Sequence, residues 1–480
     1  MAVSVITQKP LYNEIPVGSD IIFVASNDTA VALQVKVKFC VDVHISDFGP
    51  PVMGTTTYLI GTFKSTPNDA GVGMFNLRNI VENYTKADNM ANTASQYKTT
   101  PTGTNNRHPI HIIDGFTTSK GSVRYMALRF YVEYADAVTG IVEADTSTEV
   151  DSERYVVFNG YLKRTDILSI ANVAYTGVNI GDFGYSMTNF FPTATASSSS
   201  KRYLTNAPTT QYANSGDYGT LSYLAVSSVS AYDVRKMVIT YYDDSGTISS
   251  PDTITNTQFL GGNLPFNSII QKRIVFFGCF PANLENWSAN YATAVTSGLT
   301  YYTIDAKDES LPTNKFSLKT MTIRLNCPNL KGYESIRLCW LNQWGAWDYY
   351  TFTKKSVKNT STQGTTYTQL AGTWNDSKYR LDSYLGGKKA FRVNATEKVT
   401  MNTGFVAEDE NVMFEELINS PEVYLLDSFQ TDGTFSALNQ YVTSVRVTTS
   451  SFTRKTSAND RLLQYTFEVE KSNTLRTQSI

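Results

Sequence analysis

Residues 463–470 read Leu463-Gln464-Tyr465-Thr466-Phe467-Glu468-Val469-Glu470. Apolar and polar side chains alternate strictly along this stretch, which is the pattern of a β-strand that buries one face. Residues 442–453 have a similar composition, and the polar residues 455–460 separate the two segments, so the sequence predicts a closing β-hairpin. We expect the strand at residues 463–469 to lie at the edge of its sheet, where a neighbouring subunit can add a strand.

The composition of the whole 480-residue chain also favours β-structure. Charged residues make up 18% of it, against a usual value of about 25%. Ser, Thr, Asn, Tyr and Phe are abundant instead. Thr, Tyr and Phe fit a pleated surface, whereas Ser and Asn favour turns over helix interiors. The sequence therefore predicts an all-β protein, built of several β-sandwich domains in series with a few short helices.

Local patterns predict individual elements near both ends of the chain. Residues 20–25 and 33–39 are predicted strands, with a turn at residues 26–28 between them. Residues 76–84 and 409–419 are predicted helices, because their apolar residues recur at helical spacing.

The length of the chain predicts more than one domain, since one hydrophobic core serves roughly 250–300 residues. Composition changes between residues 177 and 210, and residues 193–200 form a low-complexity stretch typical of a flexible loop. We predict an N-terminal β-sandwich domain at residues 1–175. A middle β-rich domain or insertion with the flexible Ser/Thr-rich loop follows at 176–265, and one or more C-terminal β-rich domains at 266–480.

The charge and hydropathy patterns exclude two classes of partner as primary ones. The formal net charge is -2, and the longest basic runs, Lys354-Lys355 and Lys388-Lys389, have two residues each. Nucleic-acid binding needs a basic face, so we predict no nucleic acid as a primary partner. No window approaches 18 uninterrupted apolar residues, so we predict no membrane span. The amino terminus lacks the pattern of a secretory signal, and we expect synthesis in a reducing cytoplasm.

The cysteines fit that compartment. Cys40, Cys279, Cys327 and Cys339 lie in or beside apolar, strand-like runs. None has the spacing of a CxxC motif or of metal ligands, so we expect buried, reduced thiols. The short gap between Cys327 and Cys339 leaves a disulfide across a hairpin as the alternative.

Residues suited to catalysis are few. His108 and His111 are the one pair with the character of metal ligands, but in a strand they point to opposite faces. Polar loop residues at a strand entry are the simpler interpretation. Asp348, Asp376 and Asp382 lie near aromatic residues and are candidates for glycoside hydrolysis, against the alternative of solvent-facing turn residues. No GxSxG, HExxH, Walker or EF-hand pattern occurs. We predict no enzyme, no catalytic residue, no metal ion and no cofactor.

The most unusual stretch is Cys339-Trp340-Leu341-Asn342-Gln343-Trp344-Gly345-Ala346-Trp347-Asp348-Tyr349-Tyr350-Thr351-Phe352. Residues 342–346 have the composition of a hairpin turn, with Gly345 available for positive φ. Three interpretations stay open: aromatic packing in the core, a subunit interface anchored by an exposed Trp344, and a platform that stacks on sugar rings. The candidate hairpin or interface anchors are Trp340, Trp344, Trp347, Tyr349, Tyr350, Trp374, Tyr465 and Phe467.

This aromatic stretch, from Arg337 to Phe352, resembles a Trp-Leu-Asn…Gly…Trp/Phe-Asp-x-Tyr/Phe-x-Phe signature. Virion structural proteins of tailed bacteriophages carry it, notably those of marine and Bacteroidetes hosts. Three further stretches resemble the same group: Tyr12-Asn13-Glu14-Ile15-Pro16 with Ile22-Phe23-Val24, Gly73-Met74-Phe75-Asn76-Leu77-Arg78-Asn79-Ile80-Val81-Glu82-Asn83-Tyr84, and Glu416-Leu417-Ile418-Asn419-Ser420-Pro421-Glu422-Val423-Tyr424. The resemblance touches residues 12–84 and 337–470 and leaves the middle unmatched.

The resemblance implies a component of the phage particle from the tail, neck or baseplate, assembled in the host cytoplasm. We expect a structural subunit that binds other virion proteins and forms a homo-oligomer, such as a ring. The alternative is a tail-tip adhesin that binds a host surface glycan or receptor, in which exposed Trp344 or Trp374 would contact the sugar.

Overall fold

The computed structural model describes most of the chain. The described residues are 2–10, 13–47, 49, 51–53, 58–91, 109–136, 139–163, 166, 187–190, 192, 199–225, 234–256, 273–285, 287–308, 315–326, 332–372, 377–380, 386–426, 442–454, 463–472 and 475–476. The chain divides into two compact units. Unit 1 comprises Met1–Leu325 and Leu341–Asp348, and unit 2 comprises Asn326–Trp340 and Tyr349–Ile480. We call Leu341–Asp348 the tip turn. The three-part division expected from composition stays a prediction.

Strands dominate unit 1. In chain order they are β1 (Val5–Gln8), β2 (Glu14–Pro16), β3 (Ile22–Ser26), β4 (Val35–Ser46), β5 (Leu59–Ser65), β6 (Val72–Asn76), β7 (Phe116–Thr118), β8 (Val123–Ala135), β9 (Val142–Asp151), β10 (Tyr155–Phe158), β11 (Thr210–Ala213), β12 (Thr220–Ala225), β13 (Lys236–Tyr242), β14 (Asp252–Thr255), β15 (Arg273–Gly278), β16 (Tyr301–Asp308), β17 (Lys315–Phe316) and β18 (Met321–Leu325). The helices are α1 (Asp28–Leu33), α2 (Arg78–Val81), α3 (Pro281–Glu285) and α4 (Ala289–Thr296), with 3-10 turns at Glu82–Tyr84, Ile110–Ile112 and Met187–Phe190.

The first half of unit 1 is a β-sandwich. One sheet has the order β1-β3-β6, and the other has the order β2-β10-β8-β4-β5 with β9 also paired to β8. Their inner faces share one core, in which the ring of Phe130 lies 5.9 Å from Phe23 and 5.8 Å from Phe75. Alternating apolar side chains on both sheets bury this core, which is the arrangement expected of a sandwich.

The second half of unit 1 contains two further sheets, β12-β15-β7 and β11-β18-β16-β13-β14, with β17 paired to β16. Buried tyrosines provide much of the packing. The ring of Tyr241 lies 6.0 Å from those of both Tyr291 and Tyr302. The hydroxyl of Tyr302 donates a hydrogen bond to the carbonyl of Cys279 (2.8 Å). Buried hydroxyls that are paired in this way add no unsatisfied polar group to the core.

The described part of unit 2 consists of one sheet and one α-helix. Its strands are β19 (Ile336–Leu341), β20 (Trp347–Phe352), β21 (Val357–Gln369), β22 (Gly387–Asn402), β23 (Val423–Leu426), β24 (Val442–Val447), β25 (Thr466–Lys471) and β26 (Leu475–Arg476). The described strands have the order β20-β19-β23-β24-β25-β22-β21, with β26 paired to β22. Helix α5 (Asn411–Asn419) follows a 3-10 turn at Glu408–Glu410, close to the helix predicted at residues 409–419.

The predicted all-β fold with a few short helices is confirmed. The prediction between the first two strands is wrong. Residues 26–28 are not a turn, because helix α1 begins at Asp28 and runs to Leu33, where the second strand was expected to begin. The side-chain oxygen of Asn27 accepts a hydrogen bond from the backbone N–H of Ala30 (3.0 Å) and caps this helix. In the part of the chain that the structure describes, no helix has both the length and the apolarity to cross a membrane.

Candidate assembly surface

The tip turn is held by one of its own side chains. The Oδ1 atom of Asn342 accepts hydrogen bonds from the backbone N–H groups of Trp344 (3.0 Å) and Ala346 (3.1 Å). Gly345 has a φ of 74°, and a Cβ atom there would lie 2.3 Å from the carbonyl oxygen of Asn159. Glycine is therefore required at this position for two reasons, the left-handed backbone and the close approach of a second chain segment.

Both tryptophans of the tip turn point into unit 1. Trp344 is only 5% exposed, and its ring centroid lies 4.5 Å from that of Phe190. The indole N–H of Trp347 donates to the carbonyl of Asp88 (2.9 Å), and its ring lies edge-on to His111 at 5.0 Å. His111 is itself buried, in the 3-10 turn at Ile110–Ile112 that precedes β7. Within the described ranges, no three His, Cys, Asp or Glu side chains form a group able to hold a metal ion.

Polar side chains fasten the same turn. The amide of Asn342 donates to the carbonyl of Leu204 (2.8 Å). Gln343 donates to Asp166 Oδ2 (3.0 Å) and accepts from the amide of Asn206 (3.0 Å). Because buried amides cost free energy when unpaired, these bonds specify one position for the turn within unit 1.

Asp348 ends the tip turn and is buried. Its Oδ1 atom accepts a hydrogen bond from the hydroxyl of Thr205, whereas Oδ2 has no hydrogen-bond partner among the described residues. Burial raises the pKa of Asp348 to about 6, and the bond from Thr205 offsets part of that effect. The interpretation of Asp348 as a solvent-facing turn residue is therefore wrong.

The aromatic residues of unit 2 pack beneath helix α5. The ring of Phe414 lies 4.9 Å from Tyr350 and 5.5 Å from Phe467. The hydroxyl of Tyr465 donates to the side chain of Asn411 at the start of the helix. This cluster joins Tyr350, Tyr465 and Phe467, three of the predicted anchors, into a core, which is the usual role of cross-strand aromatics.

The other predicted anchors in unit 2 are also interior. Trp340 is buried in β19. Tyr349 is buried in β20, with the guanidinium carbon of Arg337 at 5.2 Å from its ring centroid. A cation over an aromatic face is attractive, so this contact adds to the packing of the two strands.

The predicted sugar and catalytic positions divide into two groups. Trp344 is buried, so it does not offer an exposed anchor or a stacking platform at the hairpin tip. Trp374, Asp376, Asp382 and His108 lie outside the described residues. The glycan-binding alternative therefore stays a prediction.

The predicted edge strand at residues 463–469 is not an edge. The observed strand β25 pairs with β24 on one side and with β22 on the other. Val469, for example, lies opposite both Val399 and Val447. Its backbone groups are consequently used within the chain, and the prediction that this strand receives a neighbour is wrong.

In the strand order of unit 2, β20 lies at one edge and β21 at the other. This thirteen-residue strand is the last in the sheet and pairs, among the described strands, only with β22. Pairing with β22 runs along its whole length, from Val357 opposite Thr400 to Gln369 opposite Gly387. One edge of β21 thus presents a long row of backbone donors and acceptors that a further strand could use.

We call β21 and β22 together the ribbon. Among the described strands, only β21 and β22 form its distal half, residues 364–369 and 387–393, because β26 and β25 pair with β22 from Asn394 onward. Nearly every residue of β21 is exposed, on both faces, and the exceptions Tyr367 and Gln369 are half-buried. An isolated two-stranded ribbon is at best marginally stable in water, so another strand would stabilise the distal half.

Charge on the ribbon is unevenly distributed. Lys358 is the only charged residue of β21, and it pairs at the surface with Glu334 (2.7 Å). In the distal half, β22 carries three basic residues, Lys388, Lys389 and Arg392, and no acidic one. Natural edge strands are often protected by charges, prolines or bulges. β21 has one charge and no proline. Its pairing with β22 contains one bulge, between Thr365 and Thr366, where the extra residue belongs to β22.

No sequence pattern predicted β21. Alternation marks strands with one buried face, and both faces of this strand are polar, so no alternation is present. A signal did exist: thirteen residues contain five Thr, no Pro and one charge. That composition favours an extended strand that lacks the usual protection against pairing.

No family model and no curated protein matches this sequence.

Proposed function

We propose that the chain is a structural subunit of a tailed bacteriophage particle, in the tail, neck or baseplate, and that it acts through protein–protein assembly. The open, exposed edge of β21 carries this proposal, because strand addition to such an edge is a common mode of stable association. The resemblance of residues 337–352 to virion proteins and the all-β fold support it. The partners are other virion proteins and further copies of the chain, and the location is the virion.

The length of β21 is sufficient for stable association. An antiparallel pairing over thirteen residues makes about one hydrogen bond per residue, each contributing roughly 0.5–1.5 kcal/mol. The sum is comparable with the roughly 4–15 kcal/mol that association costs in lost freedom. Assembly through this edge is therefore favourable when side-chain contacts add to it, as they do between subunits held in a particle.

The first experiment asks whether the chain is in the particle. Purified particles of the phage whose genome encodes the chain are analysed by mass spectrometry. An antibody against the chain then locates it by immunogold labelling. The proposal predicts a stoichiometric component at a defined place on the tail, neck or baseplate. Absence of the chain from purified particles would contradict it.

A shortened variant tests the role of the ribbon in the same assay. Gln363 and Asn394 are paired across the ribbon, so residues 364–393 can be replaced by Asn-Gly, which forms a two-residue hairpin turn. This trimmed variant keeps the part of the ribbon that β25 supports. We expect it to fold but to enter particles poorly. Normal incorporation of the trimmed variant would show that assembly does not need the open edge of β21. Labelling of host cells by the purified chain would instead favour the adhesin alternative.

A further inference from the structure

We propose that the occupant of the open edge is β21 of a second copy, paired antiparallel about a two-fold axis that passes beside Gln363. The two eight-stranded sheets then form one continuous sheet across the dimer. This inference rests on the proposed assembly role of the ribbon and names the partner strand and its register.

Symmetry and strand length fix the register. A two-fold axis between antiparallel strands is perpendicular to the sheet, so it places one residue directly opposite its own copy. Full overlap of Val357–Gln369 puts the midpoint, Gln363, at that place. Lys358 then lies opposite Thr368 of the second copy, and Thr360 lies opposite its Thr366.

Charge selects the antiparallel direction. A parallel pairing in register would place Lys358 opposite its own copy and would bring the two basic distal halves side by side. Like charges directly opposite each other destabilise a strand pair. In the antiparallel pairing, the basic residues Lys388, Lys389 and Arg392 of each copy lie at opposite ends of the new interface. No charged residue of one β21 then faces a charged residue of the other.

The weak and supported parts of the ribbon complement each other in this arrangement. Among the described strands, the distal half of each ribbon has two, whereas the proximal half is continuous with β25 through β22. In the antiparallel dimer, the proximal half of one β21 covers the distal half of the other. Each copy therefore supplies a third strand to the distal half of the other copy. Because the contact has two-fold symmetry, both distal halves are covered in the same interface. A second copy is consequently a better match than an unrelated strand that would cover only one ribbon.

A single cysteine at the axis tests the register. In the antiparallel pair, opposite Cα atoms are about 4.5–5.5 Å apart, which a disulfide spans. Only Gln363 faces its own copy, so Gln363→Cys should give a disulfide-linked dimer under mild oxidation. Thr360→Cys is the matched control, because residue 360 lies about 20 Å from its copy, six residues at about 3.3 Å each. Both are made with Cys327→Ser, since Cys40, Cys279 and Cys339 are buried.

A pair of double variants tests the contact without cross-linking. Thr360→Lys with Thr366→Lys places two like-charge pairs across the axis, and should weaken the dimer by about tenfold or more. Thr360→Lys with Thr366→Glu places two opposite-charge pairs there and should strengthen it by a similar factor. Both residues are exposed, so both variants should fold, which circular dichroism and the unfolding midpoint will check.

The outcomes separate this inference from the proposed function. Cross-linking at residue 363 but not at 360, with opposite effects of the two double variants, supports the dimer. Equal cross-linking at both positions, or none at either, overturns it. If cross-linking fails while the trimmed variant is still excluded from particles, the edge is used by a different virion protein and the proposed function stands. If the chain is absent from particles, the proposed function fails whatever the cross-linking result.

Discussion

Replacement of Asp348 by Asn should change how the stability of the protein depends on pH. Asp348 is buried at the end of the tip turn, and burial raises its pKa to about 6, from a usual value of 3.8. Since the folded-state pKa lies above the unfolded one, the folded protein holds a proton that the unfolded chain has released between these two values. The contribution of Asp348 to stability is therefore fully present below about pH 3.8 and is lost as the pH rises through about 6.

The magnitude follows from the same pKa difference. At about 1.36 kcal/mol for each pKa unit, the loss between about pH 4 and about pH 8 is roughly 3 kcal/mol. Asn carries no charge at any of these pH values and keeps an oxygen that can accept the hydrogen bond from Thr205. The stability of Asp348→Asn relative to the wild type should consequently rise by roughly 3 kcal/mol across this range.

The assay is urea unfolding of both proteins at a series of pH values, followed by tryptophan fluorescence. A constant offset from altered hydrogen bonding does not affect the comparison, because only the change with pH is used. Glu143→Gln removes an exposed carboxylate from the same unit and serves as the control, with a smaller expected change. If the stability curves of Asp348→Asn and the wild type run parallel from about pH 4 to about pH 8, burial does not raise the pKa of this carboxyl group.

Two further predictions concern the tip turn. Gly345→Ala should destabilise the protein by about 2 kcal/mol or more, because the new Cβ atom would meet the carbonyl of Asn159 and the backbone is left-handed. The control is Gly364→Ala, at an exposed position of β21. It should change the unfolding free energy by less than about 1 kcal/mol. Asn342→Ala leaves two buried backbone N–H groups without their acceptor and should cost about 3 kcal/mol. The exposed control Asn359→Ala should cost little, and equal losses in the two variants would contradict the role assigned to Asn342.

Sequence patterns predicted the parts of this fold that depend on near neighbours. The strand predicted at residues 20–25 is found as β3 (Ile22–Ser26), and Gly345 was expected at positive φ within a hairpin turn. Both follow from local chemistry, the apolar run in one case and the backbone freedom of glycine in the other. The closing pair of β24 and β25 was also expected, and the structure contains it.

Pairing across the sheet was not predictable in the same way. Alternation in residues 463–470 shows which face of a strand is buried, but it does not show how many strands lie beside it. For this reason β25 was expected at an edge and lies between β24 and β22. Burial of Trp344 depends on its contact with Phe190, which is remote in sequence. β21, the candidate assembly strand, has no apolar face and so gave no periodic signal.

The proposed role of the ribbon as an assembly surface is tested most directly by one measurement. The molar mass of the intact chain and of the variant trimmed at residues 364–393 is determined by light scattering at matched concentrations, with negative-stain imaging of any large species. We expect the intact chain to form a defined oligomer of its 53.3 kDa subunit, and the folded, trimmed variant to form a smaller species or a monomer. An intact chain that remains a monomer in the presence of its particle proteins, or a trimmed variant with an unchanged oligomer, would contradict the claim.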